Sequence, residues 1–475
     1  LRLLFVALWL IAACTGAWAQ AEPPPNPILL PPVPTHEEVV HLSGDADRPV
    51  DLVTTLYFPE GPGPFPLAVV NHGVNGVREK PADMQRHRFT YLAYYFLSRG
   101  YAVALPMMRG YAGSGGAQNF HHCDLDETAL GNGRDIAGVI AALGSHARID
   151  TGRVVVAGQS FGGWNTLGLG AMNPPPAGVK GLVNFSGGMN SSGCPGSDGV
   201  DALVRGAARL GATTTLPSLW FYGENDKLFA TETWRGMVAA YTGQGGHAAL
   251  VDTGPFMDDS HQMLSHPESF SIWVRRLDGF LAQIGLPWRE VQPAYMPVPV
   301  PPPSHFADAD TVDAVPWIGD AGRQSYRIYL TRPTPRAFLV APNGGFVAAI
   351  AGFDPLGRAE AACAKAHLAC RPYAVDDDVV WVPPSSVPVP AASHFAAIGD
   401  VGAVPWVNVA SRAAYATFLT LSAPRAFVVA PGGQSATTHG GFDPLGRALA
   451  LCGKARLSCR PYAVDDQVVW RPPAQ

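Results

Sequence analysis

The chain has 475 residues, about three domains' worth, and 47% are hydrophobic, so a sizeable core can be buried. Charged residues make up only 15%, against about 25% in a typical globular chain. The net charge is −5 and no long basic run occurs, which excludes a nucleic-acid binder, since that class carries a basic footprint.

In chain order, Leu1–Ala19 reads as an export signal: Arg2, the apolar run Leu3–Ala13, then small residues ending Ala17-Trp18-Ala19. A short apolar core before an A-x-A site marks a secretory signal, and the run falls short of the roughly 20 residues a membrane span needs. Ile11-Ala12-Ala13-Cys14 also fits a lipoprotein box, so lipidation at Cys14 stays open beside cleavage after Ala19. A Pro-rich tail (20–37) follows, and two further Pro-rich linkers lie at 288–303 and 383–392. Such runs favour extended polyproline conformation and act as semi-rigid spacers.

The stretch 38–287 alternates short apolar runs with helical patterns, which predicts a mostly parallel α/β sheet. Strands are expected at Val50–Phe58, Pro66–Asn71, Tyr101–Leu105, Arg153–Gly158, Gly178–Phe185, Pro217–Tyr222 and Ala248–Thr253. Helices are expected between them at Asp83–Ser98, Asp126–Ser145, Phe161–Ala171, Asp201–Leu210, Glu232–Tyr241 and Pro267–Ile284.

The C-terminal part is duplicated. An offset of 89 aligns Ser304–Trp381 with Ser393–Trp470 without a gap, and 46 of the 78 positions are identical. This predicts two small α+β repeat domains, 304–382 and 393–475. In the first, strands are expected at Ala337–Ala341, Phe346–Ala351 and Val379–Val382, around one Ala-rich helix at Pro355–Leu368. Trp317, Trp381, Trp406 and Trp470 read as core residues, and Asp376-Asp377-Asp378 and Asp465-Asp466 as solvated turns. For the repeats, surface or polymer binding competes with a purely structural role.

Chemistry concentrates in the body. Gly158-Gln159-Ser160-Phe161-Gly162 follows the β-branched run Val154-Val155-Val156 and opens an apolar helix. A nucleophile elbow needs that strand–turn–helix setting, which lifts Ser Oγ above the sheet edge. An acid and then a histidine should follow. Asp226 in Gly223-Glu224-Asn225-Asp226 comes just after a strand, with Glu224 as competitor. His261 in Asp258-Asp259-Ser260-His261 lies in the loop before the last helix, with His247 and His266 as rivals. Two backbone N–H groups must face the developing oxyanion; Phe161, just after the nucleophile, and Val74, in the loop Asn71-His72-Gly73-Val74-Asn75-Gly76, are the candidates. His72 is read as structural. The site calls for no cofactor and no metal.

These motifs, with Arg109-Gly110-Tyr111-Ala112-Gly113-Ser114-Gly115-Gly116, resemble the α/β-hydrolase superfamily, specifically its dienelactone hydrolase and prolyl-oligopeptidase-like serine hydrolases. The resemblance spans roughly Val50–Leu286 and implies an α/β-hydrolase fold, with Ser160 as nucleophile, Asp226 as orienting acid and His261 as base. Dienelactone hydrolases proper use a Cys nucleophile, and here a Ser stands at the elbow, so simple esters are the expected substrates. The substrate is expected to be a small-molecule or polymer-end ester. A peptidase of the same fold and a non-catalytic binding protein are the alternatives, and membrane association is expected only through a lipidated Cys14.

Without Cys14, six cysteines remain. Cys363 and Cys370, like Cys452 and Cys459, lie seven apart; on one straight helix that is about 10 Å, too far to bridge. Arg371-Pro372 and Arg460-Pro461 follow at once, so each helix should end first and permit a local disulfide. Cys123 and Cys194 are left to pair. That pairing is preferred over a metal site at His121-His122-Cys123-Asp124, where the spacing is too tight for one tetrahedral ion.

Overall fold

The computed structural model describes residues 31, 33–74, 80, 83–118, 120–190, 194, 199–383, 386–440 and 443–472. The expected export signal with Cys14 lies outside the described residues, as do most of the Pro-rich tail, Asn75-Gly76 and Phe442 of the second repeat.

Eight strands share one sheet: β1 (Glu38–Ser43), β2 (Asp51–Tyr57), β3 (Phe65–Asn71), β4 (Ala102–Pro106), β5 (Ile149–Gln159), β6 (Val179–Phe185), β7 (Ser218–Tyr222) and β8 (Ala248–Asp252). Their order is β1-β2-β4-β3-β5-β6-β7-β8. Strands β3 to β8 pair in parallel, while β2 runs antiparallel to both neighbours. Because side chains alternate along a strand, Leu67, Val69, Val154 and Val156 enter one core, and Ala68, Val70, Val155 and Ala157 the other. Helices α2 (Leu125–Leu143), α3 (Phe161–Gly170), α4 (Val200–Thr213) and α5 (Thr231–Gly243) cover the first core with Ile136, Trp164, Leu203 and Trp234. Helices α1 (Thr90–Ser98) and α6 (Phe270–Gln283) cover the second with Tyr95 and Trp273. Strands buried on both faces read as continuous apolar runs, which is why they stand out in the sequence.

The order positions the site. The chain leaves β3 to place β4 on one side, then returns to place β5 on the other. The carboxyl ends of β3 and β5 therefore flank the point where the order reverses, and ligand crevices open there in α/β sheets.

Two expectations for the body need correction. The edge strand β1 is missed, since only Val40 and Leu42 pack inward. Helix α1 starts at Thr90, not Asp83. Arg86 and Arg88 instead reach Glu37, and Phe89 takes a left-handed backbone with φ 44°, which ends any helix before it.

Each repeat builds a four-stranded antiparallel sheet. The first has α7 (Asp320–Leu330), β9 (Arg336–Val340), β10 (Phe346–Ile350), α8 (Pro355–Lys365), β11 (Arg371–Val375) and β12 (Asp378–Val379), in sheet order β10-β9-β11-β12. The second copies it with α9 (Val409–Phe418), β13 (Arg425–Val429), β14 (Ser435–His439), α10 (Pro444–Lys454), β15 (Arg460–Val464) and β16 (Gln467–Val468). The single expected helix per repeat is thus corrected to two. Helix α7 buries Tyr326 and Tyr329 with Trp381 on one sheet face, and α8 buries Leu356, Ala359 and Cys363 on the other. Strand β11 is also missed, because Pro372 removes a ladder donor; the register shifts between Pro372 and Ala374.

The paired aspartates are not simply solvated turns. Asp376 Oδ1 accepts the Arg336 backbone N–H at 2.8 Å, and Asp377 pairs with the Arg336 guanidinium. That guanidinium in turn donates to the last carbonyls of α7, at Tyr329 and Leu330, satisfying acceptors a helix end leaves orphaned. Asp465, Asp466 and Arg425 repeat the clamp on α9. The tryptophans pack edge to face, Trp317 on Trp381 and Trp406 on Trp470, each at 4.6 Å.

The stretch joining body and first repeat is more than a spacer. Tyr295 is buried and donates to Pro34 O at 2.7 Å, while Val298 packs beside α8. From the first repeat, Phe353 enters the second core of the body, against Tyr91 and Tyr94.

Candidate active site

Ser160 sits between β5 and α3 with φ 56° and ψ −127°, a conformation costing a non-glycine residue roughly 1–3 kcal/mol. Its neighbours permit the turn by being small. A Cβ on Gly158 would stand 2.2 Å from Gly162 O, and one on Gly162 2.2 Å from Asn71 O. The serine backbone is held on both sides: its N–H donates to Phe185 O at 2.9 Å, and its carbonyl accepts from Gly188 N at 3.1 Å. Gly73, after β3, lies directly against it.

Asp226 follows β7 and is tied from two directions. Its Oδ1 accepts the N–H groups of Leu228 at 2.8 Å and Phe229 at 2.9 Å. Its Oδ2 takes the hydrogen bond of His261 Nδ1 at 2.9 Å, with both side chains buried. Burial alone would raise the Asp226 carboxyl. The His261 bond and the two N–H donors outweigh it and hold the group below the ordinary carboxylate value, so it stays ionised. With Nδ1 donating to this carboxylate, His261 presents Nε2 as its proton acceptor.

The segment Ser260–Ser265, which carries His261, is a short 3-10 turn after β8. Asp259 Oδ1 accepts from both His261 N at 3.0 Å and Lys227 N at 3.1 Å, joining the loops that carry His261 and Asp226. Gln159 Nε2 donates to His261 O at 3.0 Å, tying the elbow to the turn that carries His261. Neither residue stands out in the sequence reading; Asp259 two positions before a histidine is the one signal for it, an Asx-type turn.

The rivals sit elsewhere. Glu224 is exposed, and His247 is exposed just before β8. His266 lies beside Glu268, at 4.0 Å, and Phe256, with ring centroids 6.1 Å apart. His72 is buried: its Nε2 accepts from Met108 N at 3.0 Å while Nδ1 meets Gly73 O at 2.6 Å. Burial, aided by the His87 charge, pushes it down to about 3, so it is neutral and fixes the loop after β3. Phe161 is buried at the start of α3, and Val74 is exposed in the loop after β3. Arg109 forms a buried ion pair with Asp135 at 2.5 Å.

The cysteines are joined as Cys123–Cys194, Cys363–Cys370 and Cys452–Cys459, with Cα separations of 5.5, 6.0 and 6.0 Å. His122, Cys123 and Cys194 cluster within 4.8 Å, yet the two sulfurs are bonded to each other and offer no thiolate to a metal. Disulfides belong to oxidising compartments, in keeping with an extracellular or periplasmic protein. Among the described residues no helix is long and apolar enough to cross a membrane.

The strand order, the strained elbow between β5 and α3 and the succession Ser160, Asp226, His261 decide the architecture. The fold is that of an α/β-hydrolase. Residues 46–191 match the family model of the X-Pro dipeptidyl-peptidase (S15 family). Among solved structures, the chain is similar to a Klebsiella pneumoniae protein assigned as a dienelactone hydrolase, with 20% identity, 52% of this chain and 99% of that chain covered, and a TM-score of 0.36. Porphyromonas gingivalis dipeptidyl peptidase 4 is 17% identical over 52% of this chain and 35% of its own, with a TM-score of 0.39. An esterase of Pyrococcus furiosus is 14% identical over 53% of this chain and 91% of its own, with a TM-score of 0.36. No curated protein matches.

Proposed function

We propose that the chain is a serine hydrolase that cleaves carboxylic esters through an acyl-enzyme intermediate. The observation that carries this reading is the buried 2.9 Å bond between His261 and Asp226, with His261 tied through Gln159 to the strained elbow that carries Ser160. The Ser160 Oγ–H proton passes to His261 Nε2 as Oγ bonds to the substrate carbonyl carbon. The Phe161 and Val74 N–H groups face the oxyanion, and Asp226 orients and stabilises the imidazolium. Collapse of the intermediate breaks the bond to the alcohol oxygen, which takes the proton back from His261. Water then repeats both steps on the acyl-enzyme and frees the acid.

Ser160→Ala tests the reading. Hydrolysis of a p-nitrophenyl ester panel and covalent labelling by a fluorophosphonate probe should both disappear; full activity in that variant would sink it. A peptidase is the second reading, favoured by the match of residues 46–191 to the dipeptidyl-peptidase family model. Paired ester and amide substrates of one acyl group separate the two. The disulfides support export, and mass spectrometry of the mature N-terminus would distinguish cleavage after Ala19 from lipidation at Cys14.

A further inference from the structure

The loop joining β4 to α2 carries a large aromatic ring in an unusual state. Phe120 is 57% exposed, yet its ring lies along that of Phe161, with centroids 6.1 Å apart and planes 30° from parallel. Phe161 is the residue after Ser160, so one side chain separates the exposed ring from the elbow. An aromatic left in water costs about 25 cal/mol per Å² of apolar surface, and nothing among the described residues covers it.

The ring is also held. Three residues on, Cys123 is bonded to Cys194 from the connection between β6 and α4. His121 N donates to Thr128 Oγ1 at 2.9 Å, and Asp124 takes Arg209 at 3.0 Å. An exposed side chain gains nothing in stability from such anchoring; a ligand contact does, because less order is lost on binding. Other exposed apolar side chains rise from loops at the same carboxyl edge: Val74 after β3, Leu228 after β7 and Met257 after β8. Among the described residues of the body, only Val39 and Leu250 of the exposed large hydrophobic side chains lie within strands. Apolar side chains exposed along the sheet edge that carries Ser160 suit a ligand-binding face.

We propose that Phe120 is the apolar wall of the substrate site and selects substrates whose acyl side carries an aromatic or bulky apolar group. The inference rests on Ser160 as nucleophile and adds the substrate class. Two sulfonyl fluorides test both parts. As each reacts, an Oγ–S bond forms, fluoride leaves and the serine proton passes to His261. The probes are phenylmethanesulfonyl fluoride, with an aromatic group, and methanesulfonyl fluoride, without one; intact mass and peptide mapping follow modification of Ser160. In the full-length protein, Phe120→Ala should lower the rate ratio of the aromatic to the small reagent about tenfold, mainly through the aromatic one. Phe120→Leu should restore part of the ratio. Labelling of Ser160 with a ratio unchanged in Phe120→Ala overturns the inference and leaves the nucleophile standing. Failure of both reagents to label the wild type overturns the nucleophile and the inference together.

Discussion

Gly73 is pressed so closely on Ser160 that a Cβ there would stand 2.9 Å from the serine Cβ and 3.2 Å from Gln159 O. Real Cβ atoms do not approach so near, so Gly73→Ala must push apart the loop after β3 and the elbow. A shift of about 1 Å at a reacting group costs about 100-fold. We expect kcat for a p-nitrophenyl ester to fall by about that factor while the urea midpoint of unfolding moves little. A variant with wild-type kcat would show that the two segments need not touch.

Asp226→Asn keeps the shape but replaces the acceptor that fixes His261 Nδ1 as donor. In a serine-protease triad the same exchange of the acid costs about 10⁴ in kcat, because the histidine is left in the wrong tautomer. We expect a fall of about 10³–10⁴ here, with KM nearly unchanged, measured by steady-state ester hydrolysis. Glu224→Gln, on an exposed residue, should leave kcat within about twofold; the opposite ranking would transfer the acid role.

How much of this was legible in the sequence depended on what each residue packs against. Val154–Val156 and Gly158–Gly162 could be read directly, because a doubly buried strand and a steric elbow each demand a residue type. Glu38–Ser43 could not, since an edge strand with one half-buried face leaves too faint a pattern. Arg86 and Arg88 suit a helix locally, and their pairing with Glu37 from far along the chain overrides that propensity. Asp376 and Asp377 looked like a polar turn because their partner Arg336 lies about 40 residues away. Gln159 and Asp259 were hidden for a similar reason: their work is hydrogen bonding across loops, and pattern carries no trace of it.

His72 makes stability fall with acid. Its folded value of about 3 lies below the ordinary 6.5, so below pH 6.5 the unfolded chain binds a proton the native state refuses. The stability from neutral burial is complete above pH 6.5 and is lost as pH falls toward about 3, by about 1.4 kcal/mol per pH unit. His72→Gln retains an acceptor for Met108 N but no titration in this range. Urea unfolding at pH 7.5 and 4.5 should show the variant weaker at the higher pH and less sensitive to the change; equal slopes would refute neutral burial.

Asp376 has the opposite sign. Burial, opposed by the Arg336 backbone N–H but reinforced by Glu268 of the body and by Asp377, pushes it up to about 6. An acid raised above its ordinary 3.8 weakens the folded state as pH rises through that window, and the loss is complete above about 6. Asp376→Asn keeps the acceptor for Arg336 N, and Asn tolerates the φ of 53° found there better than most residues. The variant should melt higher than wild type at pH 8, and the gain should vanish at pH 3.5. A lower melting temperature at pH 8 would show that the charge itself is needed.

Phe353 gives the first repeat a stake in the body. It is 1% exposed and shares a core with Met263 and Leu264, which follow His261 on the same short turn. Its ring meets Tyr94 edge to face at 5.2 Å and lies along Tyr91 at 6.0 Å. Truncating a buried Phe costs about 3–5 kcal/mol, and here the lost contacts are those joining repeat to body. Phe353→Ala should therefore divide calorimetric unfolding into a separate transition for the repeat and a lower one for the body. It should also reduce kcat more than it raises KM, because the loosened core includes Met263 and Leu264 on the turn that carries His261. A single unshifted transition with unchanged kcat would make the repeat a passenger.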